Sequence, residues 1–212
     1  MRVAAGGATV LLGPGSGERK GWERVDYAPE GEGEGERPFV VAGVGQGRAT
    51  VTMEGGEGVR FLEVEGGQVR DVARLATPHG ALDAVVLRRP VVLAHGAPLA
   101  GKCAKPRPLL AIQRVGLEAV VVPVDAPPLA LFARPVEGGA FAAWLVPTHC
   151  GDERRRIVYA ALLDEDGGLR SGPMAVAEAT GLAVASRGGE VDLWLRQEGR
   201  MVWILARCGE KG

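Results

Sequence analysis

The chain has 212 residues and a mass of 22.1 kDa, with 25 basic and 26 acidic side chains, 46% apolar residues and 24% charged ones. Area scaling gives about 9,000 Å² of folded surface against about 32,000 Å² unfolded, enough to bury a sizeable core. This balance excludes a disordered chain, and a net charge of -1 gives no electrostatic reason to expect nucleic acid as a partner.

In chain order, the apolar runs are short, rich in Val and Leu, and bounded by Gly, Pro or acidic turns, which predicts strands. Residues 1–37 hold three runs, at 2–6, 9–12 and 22–27. Residues 38–79 hold four, at 39–43, 49–53, 59–65 and 69–75, and residues 80–127 hold four more, at 82–87, 91–95, 109–115 and 118–124. Residues 128–180 hold runs at 129–134, 141–146, 156–162 and 174–178, and residues 181–212 hold runs at 182–186, 191–195 and 200–206. Helical periodicity is scarce. Its best candidate is 69–76, where Val69, Val72, Ala73, Leu75 and Ala76 could share a face before Pro78 and Gly80 end it.

The second run of each unit is centred near residues 10, 51, 93, 144 and 193, a spacing of about 41 to 51 residues. Such a period, with three or four strands per unit, predicts a single all-β domain over 1–212 built as a five-bladed β-propeller-like repeat. A two-sheet β-sandwich or barrel from the same strands is the alternative. Hairpin chemistry agrees with short antiparallel sheets: Gly66-Gly67, Asp166-Gly167-Gly168 and Gly188-Gly189 all fall between successive runs. Trp144, Trp194 and Trp203 are expected in blade cores. Residues 30–36, alternating Gly and Glu, are expected to form a surface loop.

There is no asparagine and there are four glutamines, while Arg and Glu outnumber Lys and Asp, a pattern that predicts a heat-adapted source. Three cysteines, Cys103, Cys150 and Cys208, argue for free thiols over a disulfide framework. The amino-terminal segment alternates without a long apolar stretch, and no window approaches eighteen apolar residues, so neither a signal peptide nor a membrane span is expected. A cytoplasmic or virion-associated location is the corresponding expectation.

Candidate chemical motifs fail on their own terms. Gly96-Ala-Pro-Leu-Ala-Gly101-Lys102-Cys103 has P-loop spacing, but Cys103 replaces the Mg²⁺-binding hydroxyl, and Pro106 and Pro108 forbid the helix a P-loop opens. Gly13 to Gly17 and Gly43 to Gly47 do not complete a dinucleotide fingerprint. A metal site drawn from His79, His95, Cys103, His149 and Cys150 lacks paired ligands at zinc spacing. Asp164-Glu165-Asp166-Gly167 opens like a calcium loop, but Ala175 stands where the bidentate Glu belongs, so a tight hairpin is expected.

Enzymatic chemistry is equally thin. A glycoside hydrolase on a propeller needs two carboxylates around the axis, and the first runs of the last four units carry only Asp83. The three serines, Ser16, Ser171 and Ser186, lie in no nucleophile motif. The basic clusters Lys102 to Arg107 and Arg154-Arg155-Arg156 could bind phosphate or an acidic partner, the second being expected as a solvated loop. The sequence therefore predicts no catalytic, cofactor or metal residues. The expected function is a non-catalytic scaffold that displays loops to a protein partner in a larger assembly such as a virion, without membrane insertion. A glycan- or ligand-binding propeller is the alternative, and a carboxylate hydrolase the next.

Overall fold

The computed structural model describes the backbone of residues 2–4, 7–12, 23–27, 37–45, 48–55, 58–65, 68–96, 108–124, 126–149, 152–187 and 189–207. It describes the side chains of 58–63, 68–96, 110–124, 126–148, 155–186 and 189–207. Among these residues all regular structure is β, in five open antiparallel sheets. The first sheet is β1 (Arg2–Ala4), β2 (Gly7–Leu12) and β3 (Glu23–Tyr27). The second is β4 (Arg37–Gly45), β5 (Arg48–Gly55), β6 (Gly58–Glu65) and β7 (Gln68–Ala76). The third is β8 (Ala81–Val86), β9 (Pro90–His95), β10 (Pro108–Arg114) and β11 (Leu117–Pro123). The fourth is β12 (Ala130–Val136), β13 (Gly139–His149), β14 (Asp152–Leu163) and β15 (Leu169–Glu178). The fifth is β16 (Gly181–Arg187), β17 (Glu190–Gln197) and β18 (Arg200–Arg207).

Every strand pairs with its neighbours in the chain, so each sheet is a simple meander. The strands are divided among five sheets, not gathered into two, and none closes into a barrel. The stretch offered above as a helix is β7, in which Ala73 and Leu75 pack onto the cluster around Phe61 while Arg74 between them is exposed. Arg37, placed by spacing in the first unit, opens the second sheet. Arg154, Arg155 and Arg156 lie within β14, not in a loop, because the β13–β14 hairpin runs on to the His149–Asp152 pair.

Burial follows the period-2 alternation, but on both faces of a sheet. On β9, Val92 and Ala94 meet Val59 and Phe61 of the second sheet, while Val91 and Leu93 point the other way, towards Trp144 of the fourth. On β13, Ala142, Trp144 and Val146 face the third sheet, and Phe141, Ala143 and Leu145 face Val191, Leu193 and Leu195 of the fifth. Three apolar layers therefore separate the second, third, fourth and fifth sheets in chain order. Trp144 fills the largest of these positions and stacks on Tyr159, with ring centroids 6.2 Å apart and an interplanar angle of 18°.

Close backbone approach explains one glycine directly. Gly139 opens β13 at φ +151°, and a Cβ there would sit 1.9 Å from the Leu163 carbonyl oxygen across the hairpin. The first strands of successive sheets, β4, β8, β12 and β16, lie side by side, bringing one edge of each of four sheets to one region.

Candidate functional site

That region holds Asp83, the one acidic residue that is buried among the described residues. A register shift between Ala81 and Asp83 on β8 re-aims the side chain inward. One carboxylate oxygen accepts the Ala84 N–H at 2.9 Å. The other accepts the Ala133 N–H at 2.8 Å and Arg134 Nη1 at 2.9 Å. Arg134 in turn donates from Nη1 to the Ala133 carbonyl at 2.8 Å and from Nε to the Val184 carbonyl at 3.2 Å, with its guanidinium 5.3 Å from the centre of the Phe132 ring. Burial pushes the Asp83 pKa above its ordinary value, outweighing the hydrogen bonds and the Arg134 charge that pull it down.

The group thus ties β8, β12 and β16 together. A carboxylate with both oxygens engaged, one by β8 and the other by β12, holds neighbouring sheets together.

The other predicted residues are scattered. His79 and His95 come together at the β8–β9 end, where burial first, and the neighbouring His79 second, lower the His95 pKa. The residues of the P-loop-like segment from Ala97 to Arg107, Cys150, Cys208, residues 13–17 and the Gly-Glu run 30–36 lie outside the described residues. So does the His149 side chain. No group of three or more His, Cys, Asp or Glu side chains is placed to hold a metal among the described residues. Asp164 folds back on its own turn: its Oδ1 accepts the Asp166 and Gly168 N–H groups at 2.9 and 2.7 Å, making the β14–β15 hairpin an Asx-type turn. Asp166 reaches back to Arg89 Nε at 3.1 Å, docking this turn on the third sheet.

The fifth sheet carries what composition alone misassigned. Of the three tryptophans expected in blade cores, only Trp144 is buried; Trp194 is 36% exposed and Trp203 60%. Strand register explains it. Val191, Leu193 and Leu195 alternate inward onto the fourth sheet, so Asp192, Trp194 and Arg196 face out. Trp194 pairs directly with Trp203 across β17 and β18, Arg196 pairs with Met201, and Asp192 with Leu205. The Trp203 indole donates to Asp192 Oδ1 at 2.8 Å, fixing the exposed ring, and Arg207 binds Glu190 at 3.0 Å at the far end.

The sequence held half of this signal. The alternation Val-Asp-Leu-Trp-Leu-Arg from Val191 groups Trp194 with two charges, whereas Met201 to Ala206 is apolar on both parities and cannot be oriented without the structure. The chain matches no protein-family model and no curated protein.

Proposed function

We propose that the protein is a non-catalytic β scaffold that engages a protein partner through the outward face of its fifth sheet. The observation carrying this reading is the composition of that face. Trp194, Trp203, Met201 and Arg196 are of the residue types enriched at protein interfaces, and they stand exposed on a sheet whose other face packs on the fourth sheet through Val191, Leu193 and Leu195. Three strands of about seven residues cover roughly 340 Å², less than half of the roughly 800 Å² that a standard interface takes from each partner. The face is therefore the centre of a wider contact or the whole of a weak one.

In this reading the sheets are propeller-like blades whose first strands gather at one centre, clasped by Asp83 and Arg134, in an arrangement left open at the outward face of the fifth sheet. The adjacency of β4, β8, β12 and β16 supports that arrangement. Membership of a larger assembly, such as the virion of a phage with a heat-adapted host, is the proposed setting and rests on analogy at the level of fold. A second reading draws on the same surface: an exposed indole anchored by a carboxylate suits the apolar face of a sugar ring, making the site glycan-binding.

Affinity capture with the intact protein from its native source, followed by cross-linking, tests the proposal. A protein complex is expected that Trp203→Ala weakens at least tenfold. A monomer that captures no protein overturns the scaffold reading, and binding on a glycan array that Trp203→Ala abolishes replaces it with the second.

A further inference from the structure

A second surface lies where the fourth and fifth sheets meet, at the end bearing the β17–β18 turn. A cleft of about 320 Å³ opens there, with Arg155 and Arg156 of β14 on one side and Glu198 and Arg200 of the turn on the other. Its walls are tied by hydrogen bonds. Arg156 Nη1 donates to the Thr180 carbonyl at 3.1 Å, the Thr180 N–H donates to the Arg196 carbonyl at 2.7 Å, and Gln197 Nε2 donates to the Glu178 carbonyl at 2.7 Å. Arg155 and Arg200, both exposed, form no ion pair among the described residues.

The turn itself contains an unfavourable choice. Gln197 and Arg200 pair across a two-residue loop in which Glu198 has φ +34° and Gly199 φ +83°. Positive φ at both positions favours Asn-Gly or Asp-Gly. Glu198 is the one non-glycine residue with positive φ among the described residues, and it lines the cleft together with Glu178 and the three arginines.

We infer that this cleft binds an acidic peptide segment. Two guanidinium groups, from Arg155 and Arg200, supply forked donors for carboxylates, and Arg156, held by the Thr180 carbonyl, adds its positive charge. Glu178 and Glu198 break up the positive field, which disfavours a compact anion such as phosphate. An extended peptide answers both signs: its side-chain carboxylates meet the arginines while its backbone N–H groups donate to the glutamates. The site is separate from the Trp203 face, so it stands whether or not that face engages a partner.

The test is titration of the full-length protein with a hexaglutamate peptide by calorimetry, at low and high salt. Saturable binding is expected, weakened at least tenfold in Arg155→Ala/Arg200→Ala and by high salt, and changed less than twofold by Trp203→Ala. Glu198→Asn, which relieves the strain of the positive φ in the turn, is expected to melt at higher temperature. Circular dichroism melts show whether the arginine variant is folded, and single substitutions at Arg155 and Arg200 serve in its place if it is not. Absence of binding by the unaltered protein, or affinity unmoved by loss of the arginines, overturns the inference. Inorganic phosphate binding as tightly as the peptide overturns the peptide assignment.

Discussion

Trp144 and Trp203 occupy comparable places, near the middle of long strands in neighbouring sheets, yet one is sealed at 1% exposure and the other is 60% exposed. The difference lies in what stands opposite. Around Trp144 the fourth sheet presents Ala142 and Val146 to the third sheet, with no charge on that side of β13 between Ala140 and Val146. Around Trp203 the fifth sheet presents Asp192, Arg196 and the Glu190–Arg207 pair. An apolar side chain flanked by apolar positions belongs to an internal layer, whereas the same side chain flanked by charges sits on a surface that stays soluble alone and can be covered on contact.

The sharpest way to break this comparison is to truncate both rings. Trp144→Ala is expected to cost about 3–5 kcal/mol in urea unfolding, the usual range for emptying a large aromatic site in a core. Next comes the clasp: Asp83→Ala leaves the Ala133 N–H and Arg134 without their acceptor and is expected to cost about 3 kcal/mol, towards the lower end for a broken buried pair because Arg134 is partly exposed. Trp203→Ala should shift the same unfolding curve by about 1 kcal/mol or less, the scale of losing an exposed cross-strand aromatic pair. A loss as large as that of Trp144→Ala would place the outward face in a core.

The smallest effects are read in pH. Because burial raises the Asp83 pKa, the folded state holds that proton more tightly; the resulting stability is present below the ordinary value of 3.8 and is lost as pH rises through the folded value. Asp83→Ala is expected to remove this slope from acid unfolding curves. His95 has the opposite sign. Its lowered pKa means that stability is full above 6.5 and declines as pH falls through the folded value, so His95→Gln is expected to narrow the difference in melting temperature between pH 7.5 and pH 5.

Strand positions were legible in the sequence because turn residues and period-2 alternation are local properties. Runs such as 91–95 and 191–195 coincide with β9 and β17 to within a residue or two at either end. The all-β class follows from the same signals. What could not be read is which neighbour each face meets. Asp83 is one acid in a run of six residues, and its role depends on Ala133 and Arg134, fifty residues on. The arginine cleft likewise needs Arg155 and Arg200 from different sheets, and the β14 arginines gave no hint that they would be strand residues facing a turn.

The chain-order layout of the sheets also bears on how the protein forms. All strand partners are sequence neighbours, so each sheet needs only the closure of short connections, and the entropy of bringing distant segments together arises only when finished sheets stack. An all-β chain is usually slow because its pairings are remote. Here the remote step is the stacking of finished sheets, through side-chain layers such as the one around Trp144 and the clasp of Asp83 with Ala133 and Arg134.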